Sequence, residues 1–288
     1  MEKLWSMSTT VREPERILGF LQTAEEIEGS TWNTTTQEKF QILLIKNRQY
    51  LNDATNTQSF NKLTPTQAKW LKDKSFDMSY KQAKEIFDAK EYEDPPMRGR
   101  QSMSPLVKLG LVYIVNDTVA ISDVGKKLIS GQIEFGSFIF DSLLKFQYPN
   151  PTEKGFRHWN TKPFINTLRL IRSVNRLCNE KNIDEKGIST VEFGIFALSL
   201  KSYCDVEAVA EKVLDFRTQL ELQPKPNRED YITSYIQSYL EEFNNGLGNP
   251  TMILRPDRGK EISVSSSALF VAAGFSTTTL FMSRLMQA

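Results

Sequence analysis

Apolar positions recur at spacings of three and four over most of the chain, the period of helices packed on one face. Between Pro14 and Glu26, Ile17, Leu18, Leu21 and Ala24 make such a stripe, and Pro14 sits at a first-turn position, where its missing N–H costs nothing. A threonine run at 34–36 is a cap signal for a second helix through Phe40, Leu43 and Leu44. Tyr80 to about Ala89 carries a third, with Ala83, Ile86 and Phe87 inward; Glu93, Asp94, Pro95 and Pro96 end it. Ser104 then reads as an N-cap, Pro105 as the first helical residue and Gly110 as a left-handed stop, which predicts a short helix over about 105–109. There the period changes. The runs LVYIV and TVAIS, joined at Asn116 and Asp117, predict a β-hairpin over 111–122, because those two residues tolerate the left-handed backbone of a tight turn. Ser122 or Asp123 caps one more turn through Gly125 to Leu128.

Helices, a short helix with basic residues at its entrance, then a hairpin: this is the order of a winged helix-turn-helix. Further helices are predicted at about 136–146, 163–178, 189–201 and 205–218, separated by FQYPNP and by the turn at Asp184 to Gly187. QPKPN at 223–227 reads as a linker. An amphipathic helix over 229–243 follows, and its Tyr231, Tyr235 and Tyr239 suit a core or domain contact better than a base-stacking platform. NNGLGNP and RPDRGK read as an irregular basic loop. The last stretch has a helix-turn-helix outline: a helix over 266–273, a turn at Gly274, Ser276 as N-cap and a helix from Thr277 with Leu280, Phe281 and Leu285. Phe270 stands where close helix crossing wants a small residue, and Ser283 where an apolar one is usual. The final helix stops without a C-cap or a following strand, so the chain reads as a truncated fragment.

The expected fold class is therefore mostly α with small β-hairpin wings, an α+β protein of two winged-helix or helix-turn-helix subdomains joined by a helical linker subdomain. The expected division is an arm and first helix (1–33), a first winged-helix subdomain (34–135), the helical linker (136–222) and a second subdomain (223–288) truncated before or near its wing.

Composition narrows the chemistry. Hydrophobic residues at 40% and charged ones at 25% fit a globular protein without staples. No apolar run approaches a membrane span, and the opening MEKLWSMSTTVREPER lacks the apolar core of a signal peptide, so a cytoplasmic protein with no membrane partner is expected. Cys178 and Cys204 are expected to be reduced core thiols. The single histidine, His158, leaves no His-rich zinc site and only one residue on which a Ser-His or Cys-His pair could draw. In FRHWN it reads as structural.

Net charge is +1, but it is segregated. Residues 97–127 carry Arg98, Arg100, Lys108, Lys126 and Lys127 against Asp117 and Asp123. Residues 154–181 carry seven basic residues against Glu180 alone. Residues 85–94 hold five acidic residues against Lys90. Such segregation suits one basic face for a polyanion, and equally suits solvated helices of mixed charge. Around the 105–109 helix, Arg98 or Arg100 can grip guanine O6 and N7, Gln101 can read adenine, and Ser102 and Ser104 offer further donors. Both arginines can equally hold phosphate alone. Arg169, Arg172 and Arg176 form a stripe on the 163–178 helix that suits phosphate contact or a solvated face. Lys3, Trp5, Ser6, Ser8, Thr9, Thr10 and Arg12 suit an arm that orders on DNA, although a frayed terminus reads much the same. Ser276, Thr277, Thr278 and Thr279 are base-contact candidates in the last segment, with Arg255, Arg258, Lys260 and Arg284, like Lys108, as phosphate contacts.

RGRQSMSPLVKLGLVYI followed by ISDVGKKL resembles the first winged helix of the recognition region in type IIS-like restriction endonucleases of the AlwI and FokI kind. LWSMSTTVREPERI, EGSTW at 28–32, LLKFQYPNP at 143–151 and EKVLDFR at 211–217 resemble the same group. The likeness covers about residues 4–218 and extends weakly to SRLMQA. It implies a two-domain enzyme whose amino-terminal half reads a short asymmetric double-stranded DNA site through two winged-helix subdomains and an arm, while a separate carboxy-terminal domain cuts nearby with magnesium. The chain departs from that pattern in showing no second wing and no cleavage domain. A PD...(D/E)xK site needs two acidic ligands and a lysine around a metal. The only Pro-Asp pair, Pro256 and Asp257, has no such partner downstream, and Asp88 with Lys90 lies on a helix expected to be exposed. No catalytic residue, metal or cofactor is thus expected in this chain, which is read as a monomeric DNA-recognition fragment, with magnesium belonging to the missing nuclease domain. The alternatives are a non-specific DNA clamp, a helical protein-interaction module using the tyrosine stripe and the acidic 85–94 segment, and a self-contained enzyme.

Overall fold

A computed structural model describes residues 4–5, 14–49, 62–73, 75–184 and 187–243, with the backbone alone at 254–255 and 263–264. They divide into two compact units, one formed by residues 10–138 and the other by residues 1–9 and 139–288.

The 10–138 unit runs α1 (Arg16–Glu25), α2 (Thr34–Lys46), α3 (Pro65–Lys72), α4 (Tyr80–Ala89), α5 (Met97–Lys108), β1 (Val112–Val115), β2 (Thr118–Ile121) and α6 (Asp123–Ile129). Side-chain caps set the starts. The Asn33 side chain accepts from Thr36 N at 3.0 Å, so the threonine run is the first turn of α2 and Asn33 its cap. Capping boxes open α3 (Thr64 with Gln67) and α4 (Ser79 with Gln82), and Ser122 caps α6. Phe20, Leu21 and Ala24 of α1, Phe40 and Leu44 of α2, Ile86 of α4, Met103 and Leu106 of α5, and Val119 of β2 are buried in its core. Arg48, after α2, donates to the carbonyls of Trp70, Asp73 and Phe76 and so ties the end of α3 to α2.

The hairpin pairs Val112 with Ile121 through Val115 with Thr118, and both turn residues are left-handed (Asn116 φ 48°, Asp117 φ 57°), as the sequence predicts. EGSTW lies along the other side of β2: Gly29 N donates to Val119 O at 2.8 Å, Val119 N to Ser30 O at 3.0 Å, and Thr31 bridges Thr118. Residues 29–31 thus give the ribbon a third row between α1 and α2, and leave β1 on its edge.

The short helix expected over 105–109 is instead the last turn of α5, which begins eight residues earlier, at Met97. Ser104 caps nothing, and Pro105 sits inside the helix. Pro105 forfeits one bond, to the Gln101 carbonyl, and its φ is already helical. Packing outweighs that loss. Gly99 lies so close to α2 that a Cβ there would stand 2.1 Å from the Gln37 carbonyl oxygen, and Ser102, Met103 and Leu106 are buried on the same side.

α7 (Phe135–Lys145) leads into the second unit, whose helices are α8 (Pro163–Glu180), α9 (Thr190–Glu192), α10 (Val206–Leu222) and α11 (Arg228–Phe243). α8 and α10 pack along their length, with Leu170, Val174, Ala210, Val213 and Leu214 buried. The helix expected over 189–201 is shorter: α9 passes into a π-helical turn at Phe193–Ala197. There Glu192 meets Arg217 of α10 in a two-pronged pair (Nε to Oε1 2.7 Å, Nη2 to Oε2 2.8 Å), with both side chains buried. Tyr231, Tyr235 and Tyr239 of α11, each half-buried, pack on Phe196 and Phe216 of the same unit. Cys178 is buried as expected, whereas Cys204 is exposed, since it lies in a one-turn 3₁₀ segment at the surface. His158 is exposed. The ends of the loop read as irregular form a short antiparallel ribbon, β3 (Leu254–Arg255) with β4 (Ser263–Val264). The helix-turn-helix outlined over 266–288 lies outside the described residues. Among the described residues no helix is long and apolar enough to cross a membrane.

Candidate nucleic-acid interface

Because α5 starts at Met97, its periodicity sorts the candidate residues. Gly99, Ser102, Met103 and Leu106 face inward, while Met97, Arg100, Gln101, Ser104 and Lys108 lie on the outer side. Ser102 is wholly buried and reaches no base edge. Arg98 lies with its guanidinium carbon 5.5 Å over the Tyr92 ring, which in turn packs on Phe87. Arg100 is held at two points. Its Nη2 lies 2.6 Å from Asp94 Oδ2 and its Nη1 donates to Gln37 Oε1 at 3.2 Å, with the arginine and the aspartate each 44% exposed. The structure therefore joins Arg100, Gln101, Ser104 and Lys108 in one outward stripe and takes Ser102 out of it.

The hairpin follows directly. Tyr113, Ile114 and Val115 of β1 are exposed, an apolar surface beside the α5 stripe in the chain. Past it, Lys126 pairs with Glu28 at 3.2 Å. Lys127 is exposed, with no ion-pair partner among the described residues.

In the other unit Arg169, Arg172 and Arg176 all lie on the exposed side of α8. They differ in what they already hold. Arg176 bridges Glu180 (2.7 Å) and Glu207 (2.6 Å). The Glu180 and Glu207 carboxylates raise its pKa. The Ser173 hydroxyl, followed by Arg176, pulls the Glu207 carboxyl below its ordinary value. Among the described residues Arg169 and Arg172 have no such carboxylate.

Trp5, taken as part of a DNA-binding arm, is a core residue. It is 2% exposed, its indole N–H donates to Ala197 O at 3.1 Å, and its ring meets Phe193 edge-on. Lys3, Ser6, Ser8, Thr9, Thr10, Arg12, Arg258, Lys260, Ser276, Thr277, Thr278, Thr279 and Arg284 lie outside the described residues, as does the side chain of Arg255. Gln37 and Asp94, the two partners of Arg100, were missed by the sequence reading. Gln37 is 63 residues away along the chain, and Asp94 reads only as part of an acidic helix stop.

The D-x-K spacing at Asp88 and Lys90 is on an exposed helix end, where both Asp88 oxygens accept from Lys84 (2.6 and 2.8 Å). A second such spacing, Asp184 to Lys186, was passed over in the sequence, and its last two residues lie outside the described ones. Among the described residues no three His, Cys, Asp or Glu side chains converge to hold an ion such as the magnesium that the likeness to restriction endonucleases implies.

The family model described as AlwI restriction endonuclease matches residues 107–267, more than half of the chain. No curated protein matches it.

Proposed function

The chain belongs to the AlwI restriction endonuclease family, and from that premise we propose that it reads a short asymmetric site on double-stranded DNA, as the target-recognition region of a type IIS-like enzyme. The observation that carries the reading is α5: a helix with an outward stripe of Arg100, Gln101, Ser104 and Lys108, its arginine held by two partners, running straight into a hairpin. Apart from α3 and α4, which stand between α2 and α5, the order α1, the 29–31 row, α2, α5, β1 and β2 resembles that of a winged helix, in which the helix before the hairpin enters the major groove, and this supports the reading. There a guanidinium meets guanine O6 and N7, and a carboxamide such as Gln101 meets adenine N6 and N7.

On this reading the arm and first helix span 1–33, the first winged-helix subdomain about 34–135 with α1 packed on it, residues 136–222 form a linker, and residues 223–288 supply the second reading element. Length and motif order are similar to those of the recognition domain of BpuJI. The protein-interaction alternative is weakened because its tyrosine stripe is half-buried against Phe196 and Phe216 of its own unit. Cleavage is proposed to reside in a separate magnesium-dependent nuclease domain, as the likeness to type IIS-like enzymes implies.

Selection from randomised duplex DNA at physiological salt tests the proposal. Enrichment of one short asymmetric sequence is the expected result. Binding without enrichment would reduce the protein to a phosphate clamp, and absence of binding would end the recognition reading.

A further inference from the structure

We propose that Asp94 and Gln37 are positioning residues that make Arg100 a reader of neutral base acceptors rather than a phosphate contact. The inference rests on the DNA-reading function proposed above and adds to it the choice between base and backbone. Guanidinium carries five N–H donors. Asp94 takes one on Nη2 and Gln37 one on Nη1, and five less two leaves three for a ligand.

What those three donors favour follows from charge. The Asp94 carboxylate offsets the +1 of Arg100 at 2.6 Å. A phosphate arriving at the pair therefore gains little long-range attraction and meets the carboxylate's repulsion. Guanine O6 and N7 are uncharged acceptors, bound through short-range hydrogen bonds, and lose much less. Holding the guanidinium at two points also removes rotamer freedom before DNA arrives, so less is lost on binding. Gln37 is in reach because Gly99 brings α5 against the α2 backbone at that same residue. Stability does not account for the arrangement, since ion pairs this exposed contribute little to folding.

The test measures equilibrium binding of the wild-type protein, D94N, D94A, Q37A and R100A. The probes are the selected duplex, versions of it with each G·C pair replaced in turn, and an unrelated duplex, each over a salt series with thermal unfolding alongside. D94N keeps an acceptor while removing the charge. It is expected to bind unrelated DNA more tightly at low salt, to steepen the slope of log K against log salt by about 0.9, the value of one phosphate contact, and to keep part of its discrimination. D94A is expected to show the same slope change and, at one G·C pair, a loss of discrimination on the order of tenfold or more, the worth of one two-pronged base contact. Q37A should lose discrimination at that pair with little change in slope, and R100A should abolish it there, all with unfolding temperatures near wild type. Wild-type slope and discrimination in D94N and D94A would overturn the inference. So would an R100A effect spread evenly over all duplexes, or confined to a pair that D94A does not touch. If the wild-type protein itself selects no sequence, the recognition reading fails together with this one; if it selects a site and the variants fail as stated, this inference fails alone.

Discussion

Removing Arg217 is expected to be the costliest single change among the charged residues described. Its guanidinium donates to both oxygens of Glu192 (2.7 and 2.8 Å), to the Gly187 carbonyl (2.7 Å) and, more weakly, to Cys178 Sγ (3.8 Å). The two side chains are 7% and 4% exposed. Arg217→Met keeps most of the packing volume and strips out every one of these bonds. Glu192 is then left with the Ser189 N–H at 2.6 Å as its one remaining donor among the bonds described for its carboxylate. Breaking a buried pair from one side costs about 3–5 kcal/mol, because the surviving charge stays buried. At roughly 2–4 °C per kcal/mol, the unfolding temperature should fall by about 6–20 °C. The double variant R217M/E192L removes both charges, so its loss should be well below the sum of the two single losses. Urea unfolding followed by circular dichroism measures all of this. An R217M loss under about 1 kcal/mol, or single losses that simply add in the double variant, would refute the assignment of a buried, coupled pair.

Two further outcomes follow from the packing and the carboxylates. Gly99→Ala puts a methyl 2.1 Å from the Gln37 carbonyl oxygen, an overpacking cost of about 1–3 kcal/mol set against a helix-propensity gain of about 1 kcal/mol; a variant more stable than wild type by thermal unfolding would contradict the close crossing. Asp73 (Ser75 side chain, then its backbone N–H), Glu91 (Lys62), Glu134 (backbone N–H of Ser137 and Gly136) and Glu207 (Ser173, then Arg176) all have pKa values lowered by the partners named. A lowered folded pKa gives stability that is present above the unfolded value, about 4 for these groups, and is lost as pH falls through the folded value. Stability should therefore hold steady above about pH 5 and decline in acid, and a gain on acidification would oppose the assigned hydrogen bonds.

The helices were legible because their apolar stripes and caps agree, and the hairpin because Asn116 and Asp117 accept the left-handed turn. The start of α5 was misread for a physical reason: Ser-Pro at 104–105 is a strong local start signal, but the contact of Gly99 with α2 and the burial of Met103 and Leu106 keep the chain helical through the proline. Residues 29–31 carry no β-rich pattern, and their pairing with β2 is dictated by the ribbon beside them. Trp5 looked like an arm residue because nothing near it in sequence announces Phe193 and the Ala197 carbonyl. Arg217 was not singled out in the sequence, since a partner 25 residues away has no periodic signature. Of the candidate interface, the residue types on α5 were legible, and the ion pairs that set how each can act were not.

Those ion pairs give the α8 stripe a quantitative consequence. On the recognition reading, non-specific affinity comes from cations that neutralise phosphates and release counterions, each contributing about −0.9 to the salt slope. A cation already neutralised within the protein adds little, because the phosphate must displace or tolerate its carboxylate. Arg176 is such a residue, bridged by Glu180 and Glu207, whereas Arg172, one turn away on the same face, has no ion-pair partner among the described residues. Arg172→Ala should therefore make the slope shallower by about 0.9 on cognate and unrelated duplexes alike, since a phosphate contact carries no sequence information. Arg176→Ala should leave it nearly unchanged or make it slightly shallower, because Arg176 contributed almost none and the freed Glu180 and Glu207 carboxylates only repel phosphate. Salt titrations of the two variants on an unrelated duplex decide the matter. Equal and substantial changes would mean that the carboxylates let go of Arg176 when DNA binds, and no change in either would take α8 off the DNA.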